Sequence, residues 1–318
     1  MTVPFGMADV RTAAETIKRI AYHTPLLPSA QLSKLTGVDV YLKLECFQPT
    51  RVFKIRGAAN KIMNSPANGV FVAASSGNHG FAVAYVCRQL GRKAIVCVPR
   101  NANPDKVRAI KQYEAELVSV GTSYEDAYAE ALRIKEKQGA LLAHPFEDPL
   151  VIAGQATVGL ELLQDNPNLD SILVPIGGGG LIAGTAFAIK NQKSSVRVIG
   201  VQPENAPAMA RAFREGKPVA TTPSPTIADG LITKSASEVT LGIIREFVDD
   251  IVLVTDSQIE ESILTLLKND HVLAEPSGAA TVAALIHSYK PKPGEKIAAV
   301  VSGGNISVDY LTKLLARS

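Results

Sequence analysis

The pattern that most limits how this chain can fold is a series of short, almost unbroken apolar runs. Each ends in small or polar residues. Nine runs read as strands: residues 40–44, 70–74, 94–98, 116–120, 141–143, 171–176, 196–201, 251–254 and 297–301. A strand with one wet face alternates apolar and polar residues, whereas a strand covered on both faces stays apolar. Between the runs lie stretches with helical spacing, for example 104–113, with Pro104 near its start, and 124–138. Strand–helix alternation of this kind predicts an α/β fold with open, mostly parallel sheets flanked by helices. The 318 residues suit two lobes better than one minimal domain. Ligands of such sheets bind where strands end and helices begin, so the loops at those ends hold the candidate site.

Four loops stand out. In the first, Lys54 follows Phe53 and precedes a helical run over 55–64. The positive end of a helix dipole disfavours a lysine's charge, and a neutral amine is a nucleophile that forms Schiff bases. A solvated surface lysine fits the same residues. The second is Ser75-Ser76-Gly77-Asn78-His79-Gly80, between a strand ending at 74 and a helix over 81–91. Small hydroxyl and amide residues at such a turn offer backbone N–H groups to a carboxylate or phosphate, or form an ordinary cap. His79 reads equally well as a packed core histidine and receives no catalytic role.

The third loop, Gly177-Gly178-Gly179-Gly180 with Leu181, precedes a helix over 182–190. Four glycines in a row are entropically costly, and their use is close backbone approach to a phosphate. Gly178, Gly180 and Ala183 also fit a dinucleotide fingerprint loosely. That reading wants an acid at the end of the next strand, where Gln202 stands with Glu204 beyond. The fourth loop is Ser302-Gly303-Gly304-Asn305, either a hydroxyl offered to a ligand heteroatom or a tight turn.

Composition removes other classes. Lys plus Arg number 33 and Asp plus Glu 30, so net charge is +3 and no basic stripe marks a nucleic-acid binder. Trp is absent and aromatics are 5%, which argues against aromatic stacking platforms. Cys46, Cys87 and Cys97 are too scattered for a disulfide framework or a thiolate metal site. The first twenty residues look like neither a signal nor a transit peptide. No apolar stretch approaches the roughly 20 residues of a membrane span. The expectation is a soluble protein of a reducing compartment, most simply the cytoplasm.

Taken together, the loops resemble the fold type II (tryptophan synthase β-like) pyridoxal-phosphate enzymes, in the serine/threonine dehydratase and serine racemase branch. The resemblance rests on Gln48-Pro-Thr, Phe53-Lys-Ile-Arg-Gly57, Ser75-Ser-Gly-Asn-His-Gly80, His144-Pro-Phe and Val151-Ile-Ala-Gly-Gln155. It continues through Gly177-Gly-Gly-Gly-Leu181, Thr226-Ile-Ala-Asp-Gly230, Glu275-Pro-Ser and Ser302-Gly-Gly-Asn305. It implies a two-lobed fold, with a large cofactor-binding domain (1–66 and 148–318) and a small mobile substrate-loop domain (67–147). Lys54 would hold pyridoxal 5'-phosphate as a Schiff base and then remove the substrate α-proton. Phe53 would pack beside the ring, Asn78 would bond its hydroxyl and Ser302 would face its nitrogen. Gly177 to Gly180 and Leu181 would cradle the phosphate, and Ser75, Ser76, Gly77, Asn78 and His79 would grip the substrate carboxylate.

The implied activity is loss of water and ammonia from a β-hydroxy amino acid, first L-threonine or L-serine, in a homodimer. A neutral hydroxyl opposite the ring nitrogen weakens the electron sink, which favours β-elimination over transamination. Ser76 matches a racemase base on the face opposite the lysine, so serine racemase is the alternative. A dehydratase for 3-hydroxyaspartate or a bulkier β-hydroxy amino acid also remains open. A β-replacement enzyme and a non-enzymatic amino-acid-binding regulator are the more distant readings.

The chain departs from the family in places. Arg51 and Val52 stand where most relatives have Gly-Ser, and Phe81 replaces a usual Gln. Gln202 and Ala208 occupy the positions where racemase-like members hold a divalent cation, so no metal site is expected, because hard cations want carboxylates. Phe146 follows the threonine dehydratase pattern. Only one more helical run, 308–315, follows Asn305, where biosynthetic threonine dehydratases carry a regulatory domain, so the expectation from the resemblance is a catabolic enzyme without isoleucine feedback.

Overall fold

The computed structural model describes residues 3–317, so Met1 and Thr2 of the N-terminal stretch and Ser318 lie outside the described residues. Ten strands form two sheets. The strands are β1 (Leu26–Pro28), β2 (Asp39–Leu44), β3 (Phe71–Ala74), β4 (Ala94–Val98) and β5 (Glu116–Ser119), followed by β6 (Leu141–Leu142), β7 (Ser171–Pro175), β8 (Arg197–Pro203), β9 (Asp250–Val254) and β10 (Lys296–Val301). The larger sheet has the order β1-β2-β10-β7-β8-β9 and the smaller β5-β4-β3-β6. Every pairing is parallel except β1 against β2.

The helices are α1 (Met7–Ile17), α2 (Ala30–Thr36), α3 (Lys54–Met63), α4 (Asn78–Gln89), α5 (Pro104–Lys111), α6 (Tyr124–Gln138) and α7 (Pro149–Asp165). They continue with α8 (Gly180–Gln192), α9 (Ala208–Glu215), α10 (Glu238–Phe247), α11 (Asp256–Thr265), α12 (Pro276–His287) and α13 (Val308–Leu315). Each sheet is a middle layer, and successive residues of a strand face opposite helices. On the larger sheet, Ile172, Val174 and Val198 pack with α7 and α8. Leu173, Ile199 and Val201 face α11 and α12. On the smaller sheet, Phe71 and Ala73 face α3 and α4, while Val72 and Ala74 face α6. Burial on both sides is why these strands are apolar throughout.

Three expectations need correction. β1 has no counterpart among the predicted strands; it is a three-residue antiparallel edge containing Pro28, which a sheet edge tolerates. β5 is only partly buried, because it is the other kind of edge, with β4 on one side alone. The helix after Gly80 begins earlier, at Asn78 rather than at 81, and the helix after the glycines begins at Gly180 rather than at 182. The last residues of both turns, Asn78 to Gly80 and Gly180, thus open helices, whose first N–H groups have no intrahelical partner.

Glycine also lets two helices approach closely. A Cβ on Gly184 of α8 would stand 2.6 Å from the Ile152 carbonyl and 2.7 Å from the Ala156 nitrogen of α7. The two helices therefore cross with their backbones in contact, and α7 is buried on every face from Val151 to Leu162.

Candidate active site

The loops after β3, β7 and β10 open on one cavity of about 650 Å³. All thirteen residues singled out from the sequence line it: Phe53, Lys54, Ser75, Ser76, Gly77, Asn78, His79, Gly177, Gly178, Gly179, Gly180, Leu181 and Ser302.

Lys54 is the first residue of α3, with Phe53 at the cap. Its Nζ donates to the Pro145 carbonyl at 3.0 Å and lies 5.1 Å from the centre of the Phe53 ring. Burial lowers its amine to about 8. Desolvation penalises the charged form, so this amine is more nucleophilic near neutrality than a surface lysine. α3 is anchored by Arg56, which is fully buried. Its Nε donates to Glu45 Oε2 at 2.7 Å and its Nη1 to Glu161 Oε1 at 2.6 Å. Burial alone would raise the Glu45 carboxyl, but the Arg56 guanidinium outweighs it and holds the acid below its ordinary range.

Two helix mouths face the cavity. α8 starts at Gly180 with Gly179 as its cap at φ +89°, a conformation that favours glycine. The Gly178 carbonyl accepts from Thr240 Oγ1 at 2.8 Å, which fixes the orientation of this peptide. A Cβ on Gly178 would run into the Phe146 ring, and one on Gly180 would stand 2.9 Å from Phe146 Cβ. The first N–H groups of a helix have no intrahelical partner. α4 starts at Asn78, after Ser75 Oγ has accepted the Gly77 N–H at 3.2 Å.

The His79 side chain points the other way. Its Nε2 lies 2.7 Å from the Ala143 carbonyl, and its Nδ1 has no partner among the described residues. Burial, with the Lys54 charge adding, drives the ring down to about 3, so it is neutral. The core-histidine reading holds for the side chain, and only its backbone N–H is available at the mouth. Ser302 is buried at the end of β10, with its Oγ 3.5 Å from the Ser277 carbonyl.

The sequence reading gave no role to Glu275, Asn305, Ser277 or Asp229, although each lay in a quoted motif. Asn78 Nδ2 donates to Glu275 Oε1 at 2.7 Å, and Asn305 Nδ2 donates to Asn78 Oδ1 at 2.8 Å. Burial pushes the Glu275 carboxyl up to about 7; Asp229 adds to the rise and the Asn78 amide opposes it. Ser277 Oγ accepts the Gly230 N–H at 3.1 Å. The signal was a lone acid set immediately before an uncharged helix start, Pro276-Ser-Gly-Ala-Ala. Lys106 of α5 pairs with Asp229, and Lys234 pairs with Glu125 at 2.8 Å, both at the cavity rim.

The departures have local causes. Arg51 has φ +59°, the left-handed conformation that a glycine would adopt without strain. Val52 is buried, and its Cγ2 stands 3.1 Å from where a Gly303 Cβ would be. Phe81 packs edge-on against Tyr113, 5.2 Å between ring centres, and so ties α4 to the segment after α5. Gln202 is buried, with its Oε1 accepting from Ala210 N at 2.8 Å and its Nε2 donating to Ile176 O at 3.3 Å. Ala208, the other position matched to a cation site, is buried in α9. Among the described residues no group of three His, Cys, Asp or Glu is placed to hold a metal ion. All three cysteines are buried and free.

The residues present fit pyridoxal phosphate. An amine of lowered basicity stands in a cavity whose glycine-lined helix mouth can take a phosphate. A neutral hydroxyl, not a carboxylate, ends β10. No helix among the described residues is long and apolar enough to cross a membrane.

Comparison with known proteins gives the same answer. A family model described as pyridoxal-phosphate dependent enzyme matches residues 17–303. The L-threonine ammonia-lyase of Thermotoga maritima is 42% identical over 315 residues, covering 98% of this chain and 78% of that protein. The catabolic L-threonine dehydratase of Escherichia coli K12 is 38% identical over 318 residues, covering 98% and 96%. Maize serine racemase superposes with a TM-score of 0.93 at 35% identity, covering 98% of this chain and 97% of that one. The match over most of the sequence and the superposition agree with the cavity just described: the chain belongs to the pyridoxal-phosphate dependent enzymes, of fold type II, and its cofactor is pyridoxal phosphate.

Proposed function

We propose that the protein is an ammonia-lyase that converts a β-hydroxy amino acid, first L-threonine or L-serine, to a 2-oxo acid and ammonia. The observation that carries this reading is the Lys54 amine, lowered to about 8, in one cavity with two helix N-termini and with Ser302 in place of an acid. The relatives named threonine ammonia-lyase and threonine dehydratase support the same substrate class.

Bound pyridoxal phosphate supplies an aldehyde for amines and a conjugated ring that accepts the electron pair left by a departing proton. The chain's residues do the rest. Gly177 to Gly180 and Leu181 hold the phosphate by backbone N–H groups. Phe53 would pack beside the ring, Asn78 Nδ2 would donate to the ring hydroxyl, and Ser302 Oγ would face the ring nitrogen. The N–H groups and hydroxyls of Ser75, Ser76, Gly77, Asn78 and His79 hold the substrate carboxylate. Lys54 Nζ would be the base that takes the substrate α-proton. The β-hydroxyl leaves, and the net change is loss of ammonia, since the water released is taken up again on hydrolysis.

In the same reading, residues 67–147 are the small mobile domain, residues 1–66 and 148–318 the large one, and the enzyme is a cytoplasmic homodimer. Ser76 supports a second reading, racemisation, because its hydroxyl belongs to the loop facing Lys54.

A panel of L-threonine, L-serine, 3-hydroxyaspartate and bulkier β-hydroxy amino acids, assayed for ammonia and 2-oxo acid, tests the proposal. Equimolar products from threonine or serine without an added thiol are expected. D-serine as the main product would transfer the assignment to the racemase reading.

A further inference from the structure

The Asn78 amide is held between the two sheets. Asn78 opens α4 beyond the smaller sheet, whereas Glu275 caps α12 and Asn305 follows β10 of the larger one. Asn305 Nδ2 donates both to the Thr50 carbonyl, at 3.0 Å, and to Asn78 Oδ1. A carbonyl only accepts, so the direction of the whole chain is fixed by Thr50. Asn78 must present its oxygen to Asn305 and its nitrogen to Glu275. One proton of Asn78 Nδ2 goes to Glu275 and the second remains for the cavity.

Glu275 is 7% exposed. Its own N–H donates to the Gly303 carbonyl at 3.0 Å. A Cβ on Gly303 would strike its carboxyl group and also stand 3.1 Å from Val52 Cγ2, so an apolar methyl closes that side. The charged and titratable groups that face it are Asp229, the Lys106 ammonium paired with Asp229, and the Cys46 thiol. Cys46 is pushed up to about 12 by burial and the neighbouring Glu45, and so stays neutral.

We propose that Glu275 is a positioning residue: its ionised carboxylate fastens the Asn78 amide across the cleft, and its protonation loosens it. Hydrogen bonds to an ionised acceptor are roughly twice as strong as neutral ones. Burial and Asp229 raise the carboxyl to about 7, so the change of state falls near neutrality. The sign follows: above that point the acid is ionised and Asn78 is fixed, and below it the acid is protonated and Asn78 swings more freely. Asn78 then holds the cofactor ring and the substrate mouth less well in acid.

The inference rests on the lyase reading for one of its two readouts. The first is kcat/KM for L-threonine across pH with the holoenzyme. Wild type is expected to lose about tenfold on the acid side of a midpoint near 7. Glu275→Gln keeps an oxygen that accepts from Asn78 but does not titrate, so it loses the acid limb. Glu275→Leu has no acceptor and is low at every pH. The second readout is the infrared carbonyl band of a buried protonated carboxyl group, which needs no turnover. It is expected to titrate near 7 in wild type and to be missing in Glu275→Gln. Absence of such a band in wild type, or an acid limb unchanged in Glu275→Gln, overturns the inference. A titrating band in a protein that turns over no β-hydroxy amino acid leaves the inference standing and removes the lyase reading.

Discussion

Lys54 owes its lowered basicity to burial, while the sequence had pointed to the helix end on which it sits. The sequence placed it correctly at a helix start and expected the dipole to lower its charge. Desolvation of the amine within the fold is what lowers it to about 8, and desolvation is invisible in a linear string. The neutral amine is the form that captures an aldehyde. The rate at which cofactor-stripped protein recaptures pyridoxal phosphate is therefore expected to rise from pH 7 to 9, with a midpoint near 8, when followed by visible absorbance. A flat rate over that range would contradict the burial argument. Glu275 was unreadable for the same reason, since its acidity is set by burial and by Asp229, which the fold brings near from a distant loop. Arg51 was visible as a departure, and the structure supplies its physical consequence. Its φ of +59° strains a side-chain-bearing residue. Arg51→Gly is expected to raise stability by about 1 kcal/mol in denaturant unfolding. A loss of stability would show that the Arg51 side chain makes compensating contacts.

At the scale of elements, the strands were legible because both faces are covered, which writes an unbroken apolar run into the sequence. β1 was missed since three residues at an edge carry no pattern, and the starts of α4 and α8 were misplaced because glycine and small polar residues read as turn. Those are the residues proposed to bind the phosphate and the substrate carboxylate, so the misreading falls where the proposed site lies. The glycines of α7 and α8 have a different task. Gly184→Ala would force a methyl against the α7 backbone, at 2.6 Å from the Ile152 carbonyl. Overpacking of this kind costs about 1–3 kcal/mol. A matching fall in the unfolding midpoint is expected, and an unchanged midpoint would mean that the helices separate without strain.

At the scale of the whole molecule, three loops from two sheets converge on one cavity. The sequence listed those loops but could not show that they meet. Recognition of the family motifs joined them before geometry did. The cation positions of racemase-like members are taken by Gln202, engaged at both ends by backbone groups, and by the buried Ala208. Added magnesium or a chelator is therefore expected to leave turnover unchanged, and a clear magnesium activation would point to a cation site elsewhere. The central claim is that the Lys54 amine carries the cofactor and moves the substrate α-proton. The most direct measurement compares wild type with Lys54→Ala for visible cofactor absorbance and for 2-oxo acid formed from L-threonine. The variant is expected to lose both the lysine-bound absorbance and turnover while keeping its fold; a variant that retains the absorbance and still makes 2-oxo acid would show that Lys54 does neither.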